Sequence, residues 1–533
     1  MAENENLDLI TIADLLRRQV QQNPEKIAFK FEGRTVTYQD LNDGANQIAN
    51  GFLKMGLKPD DRISYLGKNS IEYYELLFAA SKAGVVMCPV NWRLALPEIE
   101  YILKDSGTKC LFVGAEFKDA IGFADADLPS LNFVCLLEPI AEPVKKQVPI
   151  IHEWKNQFNP NAPTLQRAAA DDAVQLYTSG TTGRPKGAVL SNLSLLSAYK
   201  RYDHHPRPRW NEWTNHDISL VAMPCFHVGG TAWGLTGVAN GATGVIMREF
   251  DATKVLDFID EHKISKIFLV PAAIQFIVNQ PQVREVDFSQ LKFILYGASP
   301  IPLDLLKQAM DVFQCGFVQM YGMTETSGTI VALPPEDHDP AGNVRMRSAG
   351  KALEDVEIAI LDENGMPLNS GEIGEIATRS TMNMKYYWNL PEATKEVFTK
   401  DGWLRTGDAG YVDEDGYVFI QDRVKDMIIS GGENIYPAEV ENAIYGHPGI
   451  ADVGVIGVPH EKWGEAVKAC VVLKEDTDLS EEDIIAWARE HIAKFKCPKT
   501  VSFLPSLPRN PSGKILRKEL RAPYWTDKKR SVN

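Results

Sequence analysis

The sequence predicts an α/β protein of several units: a large N-terminal domain of parallel α/β subdomains carrying a small β unit, then a small α+β C-terminal domain. Three observations point there. A chain of 533 residues is too long for one hydrophobic core, and about two to four units are expected. Helical and strand patterns alternate over most of the length, which implies parallel sheets covered by helices. Beyond about residue 350 the pattern changes to hairpin turns, and then to a mixed α/β tail of about a hundred residues.

In chain order, Thr11-x-x-Asp14 reads as a capping box opening a helix through Leu15, Leu16 and Val20. Ala173–Tyr177 reads as a strand, and a second apolar stretch follows at Ala188–Leu190. Thr253–His262 reads as a helix, and Lys266–Val270 and Leu291–Leu295 as short strands. A helix with Leu306, Met310 and Phe313 at i, i+4 and i+7 precedes another strand, Phe317–Tyr321. Ligands of such sheets collect at the carboxyl ends of strands. The tract after Tyr177, Gly297-Ala298-Ser299 and Gly322-Met323-Thr324-Glu325 are therefore expected to converge on one crevice. Leu361-Asp362-Glu363-Asn364-Gly365 and Val412-Asp413-Glu414-Asp415-Gly416-Tyr417 read as hairpin turns of a small antiparallel unit. In the tail, Ser480-x-x-Asp483 caps a helix with Ile484, Trp487, Ala488 and Ile492 on one face. A domain boundary is placed at residues 422–426.

Composition narrows the function. Apolar content of 44% and charged content of 24% are those of an ordinary soluble protein. The net charge of −15 repels nucleic acid and anionic membranes as a whole, so a phosphate ligand needs a local positive site. Seven cysteines are scattered singly, with no CxxC and no Cys/His cluster. Neither structural zinc nor a disulfide framework is expected. With an acidic, polar start that resembles no signal or transit peptide, this predicts a cytoplasmic protein with buried free thiols. Ile218–Met247 runs thirty residues without Asp, Glu, Lys or Arg, but Pro224, His227, Asn240 and six glycines break it. It is read as a buried, glycine-rich segment lining an apolar cavity and not as a membrane span.

The most informative tract is Thr178-Ser179-Gly180-Thr181-Thr182-Gly183-Arg184-Pro185-Lys186-Gly187. Glycines let the backbone curl and turn N–H groups inward, and hydroxyls and two cations add to that concavity; phosphate oxygens fit it. It is not a Walker A loop: Pro185 precedes the lysine and Gly187 follows it, where Ser or Thr would stand. A loop closing over phosphates as a flap is expected.

This tract, Tyr321-Gly322-Met323-Thr324-Glu325, Gly402-Trp403-Leu404-Arg405-Thr406-Gly407-Asp408 and Pro508-Arg509-Asn510-Pro511-Ser512-Gly513-Lys514 occur in that order. Together they resemble the adenylate-forming superfamily, over residues 10–525. Gly431-Gly432-Glu433-Asn434-Ile435-Tyr436-Pro437 and the ending Leu516-Arg517-Lys518-Glu519-Leu520-Arg521 make the chain most similar to bacterial fatty-acyl-CoA ligases. The resemblance implies two steps with ATP, Mg²⁺ and CoA: a carboxylate attacks the α-phosphate, and the CoA thiol then displaces AMP. It also implies a mobile C-terminal domain (427–533) turning on a hinge (423–426) against residues 1–422, with Lys425 at the hinge where many relatives carry Asp.

Site roles carry over residue by residue. Lys514 matches the lysine bridging the attacking carboxylate and the α-phosphate. Glu325 matches the Mg²⁺ ligand, with the hydroxyl of Thr178 or Thr324 beside it. Thr178, Ser179, Gly180, Thr181, Thr182, Gly183 and Lys186 are implied to hold phosphates. Gly297, Ala298, Ser299, Gln319, Met320 and Tyr321 are implied to form the adenine slot, with Tyr321 as a stacking face, and Gly322, Met323 and Thr324 to bind the nucleotide beside it. Asp408 and Arg423 are matched to the ribose, and Trp403 and Ile420 complete the nucleotide site. His227 is implied to gate the carboxylate end of an acyl site that also includes Gly230, Trp233 and Gly234. Ser430, Gly431, Gly432 and Trp463 are implied at the pantetheine channel.

The sequence reading is thus an AMP-forming acid–thiol ligase for a medium- or long-chain fatty acid, using free carboxylic acid, ATP and CoA. No nucleic acid is implicated, and peripheral membrane contact and a homodimer are allowed but not required. The rival readings are an aryl-CoA ligase, a luciferase-like oxidoreductase, a carrier-protein-loading enzyme and an inactive ATP sensor. The uncharged 218–247 segment weighs against a polar aryl pocket. No carrier domain follows residue 533, and Lys514, Glu325 and Asp408 are all present.

Overall fold

The computed structural model describes residues 9–125, 128–140, 148–178, 185–423, 426–430, 433–509 and 513–525. Two large mixed sheets form the N-terminal part. The seven-stranded sheet has the parallel strands Arg62–Leu66, Val86–Pro89, Cys110–Val113 and Phe133–Leu136, joined in parallel to Asp172–Thr178. Its other side is antiparallel: Asp172–Thr178 pairs with Lys186–Ser191, which pairs with Tyr386–Tyr387. The nine-stranded sheet runs parallel from Ile27–Phe31 through Thr243–Ile246, Ile218–Val221, Lys266–Leu269 and Phe293–Gly297 to Gly316–Met323. Antiparallel strands close both of its edges.

The expected α/β architecture is present, with adjustments where local chemistry decides. The expected box at Thr11 is only half formed: the Asp14 carboxylate accepts from the Thr11 N–H at 2.8 Å, but the helix Ala13–Gln22 starts behind Ile12. The uncharged stretch folds as strand, helix and strand (Ile218–Val221, Val228–Ala239, Thr243–Ile246), because Pro224 and the glycines punctuate it. Among the described residues no helix is long and apolar enough to cross a membrane. Six cysteines are buried, the seventh is half-buried, and none is paired.

The antiparallel sheet Glu357–Leu361, Gly374–Arg379, Leu404–Val412 and Val418–Arg423 is the small β unit. A separate five-stranded sheet begins at Ile428–Ser430 and includes the long hairpin Ile450–His460 and Gly464–Leu473. Its core, with Ile428, Val440, Val455, Val467 and Ile484 fully buried, is distinct from the N-terminal cores. Ser480 and Asp483 make a full capping box, but the helix stops at His491, so Ile492 lies beyond the helical face assigned to it.

Candidate active site

The three loop segments do converge. Thr178, Ala298, Ser299 and Gly322–Glu325 all line one cavity of about 1740 Å³. Its wall comes from both halves of the chain, since Lys514, Arg517 and Tyr445 line it as well. Thr178 and Lys186, at the two sides of the phosphate tract, face each other across an antiparallel pair. Ser179, Gly180, Thr181, Thr182 and Gly183 lie outside the described residues.

The adenine-slot segment shows why it needs small residues. Gly297 and Met320 are register partners on adjacent parallel strands, and a Cβ on Gly297 would sit 2.0 Å from the Met320 carbonyl oxygen. A Cβ on Gly322 would meet the Gly328 carbonyl oxygen at 1.9 Å. The glycines therefore admit neighbouring backbone. Ala298 takes φ +67°, a conformation uncommon outside glycine and one that clusters at ligand sites. Tyr321 was expected as a stacking face; its hydroxyl donates to Asp408 Oδ2 at 2.7 Å and so ties the slot to the ribose-matched carboxylate. Gln319, Met320 and Ile420 line the cavity. Arg423 stands opposite Asp408 in the register. Trp403 packs under the Arg379 guanidinium, 4.6 Å from its ring centroid, instead of on the cavity wall.

Glu325 lies in a short 3-10 turn and is 6% exposed. Its Oε1 accepts from the Tyr387 hydroxyl at 2.7 Å. The Lys186 ammonium caps the same tyrosine ring at 5.0 Å from its centroid. Tyr387 was not singled out in the sequence; the only signal is the aromatic run Tyr386-Tyr387-Trp388 beside a strand partner of the phosphate hairpin. Glu325, Thr178 and Thr324 line the same cavity and offer hard oxygen donors, one carboxylate and two hydroxyls. Among the described residues no group of three His, Cys, Asp or Glu side chains could hold a metal. One carboxylate with hydroxyls fits Mg²⁺, which is usually bound through one or two carboxylates plus substrate phosphates.

His227 precedes the helix Val228–Ala239. Its pKa is pushed down to about 4, first by burial and then by the charges of Arg93 and Lys514. The imidazole is neutral, and its Nε2 is buried without a hydrogen-bond partner among the described residues. Gly230 leaves no room for a Cβ, which would lie 2.3 Å from the Pro224 oxygen. Trp233 lines the cavity and donates from Nε1 to the Leu220 oxygen at 3.0 Å. Gly234 faces the other way: its Cβ position falls 2.0 Å from the Tyr74 hydroxyl, so it accommodates a core tyrosine and not an acyl chain.

Lys514 reaches the cavity from the C-terminal half. Gly513, at φ +80°, brings the loop against the 270–272 segment; a Cβ there would lie 3.3 Å from Ala272 Cβ. Three residues on, Arg517 donates to both oxygens of Glu441 at 2.9 and 2.8 Å and lies 3.7 Å from Asp422 and 3.6 Å from Asp426. Burial raises the Asp422 pKa to about 6. This cluster joins the last strand before the boundary to the C-terminal unit, and the sequence reading missed it.

Ser430 pairs with Gly464, next to Trp463, so two of the residues matched to CoA lie together. Trp463 stacks on His460 at 4.3 Å. Neither is on the cavity wall. Gly431, Gly432 and Lys425 lie outside the described residues.

Comparison with known proteins gives this geometry its family. The AMP-binding enzyme family matches residues 16–388, and the AMP-binding enzyme C-terminal domain matches residues 439–514. The fatty acid–[acyl-carrier-protein] ligase ScoC of Streptomyces coeruleorubidus is 42% identical, covering 98% of both chains. The long-chain-fatty-acid–CoA ligase FadD13 of Mycobacterium tuberculosis is 36% identical over 96% of this chain and 98% of its own. The crystal structure of ATP-bound MatB from Rhodopseudomonas palustris superposes with a TM-score of 0.86 at 31% identity, covering 96% of this chain and 99% of that one. A two-part chain whose halves share one crevice, matched over its length by such relatives, belongs to the AMP-binding enzymes of the adenylate-forming superfamily and is an ATP-using acid–thiol ligase.

Proposed function

We propose that the chain activates a medium- or long-chain fatty acid as its acyl-adenylate and passes the acyl group to the thiol of CoA. The observation that carries the chain-length part is the apolar branch of the cavity. Val228, Ala232 and Leu235 line it along the helix Val228–Ala239, and Leu195 and Ala198 line it from the neighbouring helix. Val228 and Leu235 stand seven positions apart on that helix, about 10 Å along its axis, longer than one aromatic ring. Each methylene buried there contributes about 0.8 kcal/mol.

The chemistry follows from charge. A carboxylate oxygen attacks the α-phosphorus, a P–O bond to the β-phosphate breaks, and pyrophosphate leaves. Two anions approach in a cleft poor in water, so cationic compensation dominates the barrier. Lys514, on the cavity wall, neutralises charge at the α-phosphate. Lys186 and the Thr178 hydroxyl serve the phosphate tail, and Glu325 with Thr178 would hold Mg²⁺, which supplies charge neutralisation on the leaving group. Asp408 and Arg423 take the ribose hydroxyls. Neutral His227 gates the carboxylate end without adding a charge. In the second step the thiolate sulfur attacks the acyl carbon and AMP leaves, the thiol proton going to solvent.

The C-terminal unit turns at residues 423–426, between the end of one sheet at Arg423 and the start of the next at Ile428, with Lys425 as the hinge. That turn brings Ser430, Gly431, Gly432 and Trp463 to the pantetheine arm. The 42% identity to ScoC supports a second acceptor, the pantetheine thiol of a carrier protein. A screen of AMP release over straight-chain and aromatic acids, with CoA and with a pantetheinylated carrier protein as acceptors, tests both parts. Release with straight-chain acids and CoA is expected. Activity confined to aromatic acids removes the fatty-acid reading, and activity confined to the carrier protein removes CoA.

A further inference from the structure

One residue on the cavity wall has no task in adenylation. Arg201 follows the helix Asn192–Lys200, whose Leu195, Ala198 and Tyr199 line the same cavity. Arg201 is 4% exposed. Its Nε and Nη1 are buried and have no hydrogen-bond partner among the described residues. Among the described residues its Nη2 meets only the Met382 thioether, a weak acceptor. The nearest acids, Glu354 and Asp355, are exposed and face His205 at 3.7 and 3.0 Å. Burial lowers the Arg201 pKa, yet a guanidinium keeps its proton.

Among the described residues, buried Lys266 is met by the backbone oxygens of Trp210 and Glu212 and by two aromatic faces, and buried Lys468 by the Thr500 hydroxyl and the Tyr524 ring, while other interior cations meet carboxylates. Arg62 meets Asp172 at 3.3 Å, Lys155 meets Glu75 at 2.7 Å, and Arg517 meets Glu441 at 2.8 Å. A buried cation left without an anion is strongly unfavourable, and one that lines a ligand cavity invites an anion from the ligand. Nearby, Arg207 donates to the Asn240 side chain at 2.7 Å at the far end of the helix Val228–Ala239. Its charge raises the positive potential in that region, although stabilising a helix C-terminus already gives it a role.

We propose that Arg201 anchors a second carboxylate on the acyl chain, so that the preferred substrates are straight-chain α,ω-dicarboxylic acids. One carboxylate is adenylated beside Lys514 and His227, and the other replaces the Met382 sulfur as the partner of Arg201. The cost of desolvating that guanidinium has already been met in folding. A plain methyl terminus leaves it unpaired and a dicarboxylate does not, which favours one over the other through the penalty on the wrong ligand. Arg201 has this role only if the substrate is a straight-chain acid, as proposed above.

The test uses the full chain and compares pyrophosphate release for a straight-chain monocarboxylic series and the matching α,ω-dicarboxylic series. At the best chain length, kcat/KM for the dicarboxylic acid is expected to exceed that for the monocarboxylic acid by about tenfold or more. Arg201→Met removes the charge while keeping length and apolar bulk. It is expected to abolish or invert that ratio while monocarboxylic turnover persists, and Arg201→Lys is expected to restore part of it. Equal or lower wild-type turnover of the dicarboxylic series overturns the proposal and leaves the fatty-acid reading standing. An Arg201→Met protein with higher thermal stability and an unchanged ratio also overturns it, since the arginine is then only an uncompensated core charge. Failure of both series, with aromatic acids active, defeats the fatty-acid reading itself.

Discussion

The Tyr387 hydroxyl donates to Glu325 at 2.7 Å while the Lys186 ammonium sits over the face of the same ring. One side chain thus connects the phosphate hairpin to the carboxylate matched to the metal. Its hydroxyl bond orients the Glu325 carboxylate through Oε1.

Tyr387→Phe keeps the ring under Lys186 but removes the hydroxyl. Adenylation is expected to fall by about tenfold to a hundredfold, with a higher Mg²⁺ concentration needed for half-maximal rate. Pyrophosphate release titrated against Mg²⁺ reads both, and an unchanged Mg²⁺ midpoint removes the positioning role.

Lys514→Ala removes the cation that enters the cleft with the C-terminal unit. The adenylation rate is expected to drop by about two to three orders of magnitude, or roughly 3–4 kcal/mol in the barrier. Thioester formation from supplied acyl-adenylate is expected to lose far less. Retained acid-dependent pyrophosphate exchange contradicts the assignment.

Arg517→Met leaves Asp422, Asp426 and Glu441 close together without their shared buried cation. Breaking a buried pair costs about 3–5 kcal/mol, here borne by the C-terminal unit and its junction. Faster hydrogen exchange over the helix Pro437–Tyr445 and slower adenylation are expected together, because Lys514 is three residues upstream. Asp422→Asn is expected to be milder, since burial already raises that carboxyl to about 6 and lowers the charge lost near that pH. Unaltered exchange in Arg517→Met proves the cluster idle.

For His227 the sign is set by its folded-state value of about 4, below the ordinary 6.5. Between those two values the unfolded chain binds more protons, so this stability is complete above about pH 6.5 and lost as pH falls toward 4. His227→Phe is expected to flatten the acid arm of the stability curve by up to about 3 kcal/mol. Denaturant midpoints at neutral and acid pH measure it, and parallel acid losses in both proteins refute it.

Much of the architecture could be read in the sequence because its signals are local. Short apolar runs marked the parallel strands, and Ser480 with Asp483 announced a helix start through one side-chain exchange. The crevice was legible for a similar reason: Gly297, Met323 and Thr178 each end a strand. What could not be read depends on pairings between distant residues. Tyr387 and Glu325 are 62 positions apart, and Arg517 and Glu441 are 76 apart. No periodicity encodes such meetings. Gly234 was misread for the same reason. Its glycine serves Tyr74, on a helix far upstream, and the apolar segment around it does not reveal which side faces the cavity.

The two halves of the chain have separate cores yet share the wall of one crevice. Two separate cores need not melt together, and an empty enzyme is expected to show two calorimetric transitions. A nucleotide touching both walls adds its binding free energy to each, so saturation with ATP should fuse the two endotherms into one.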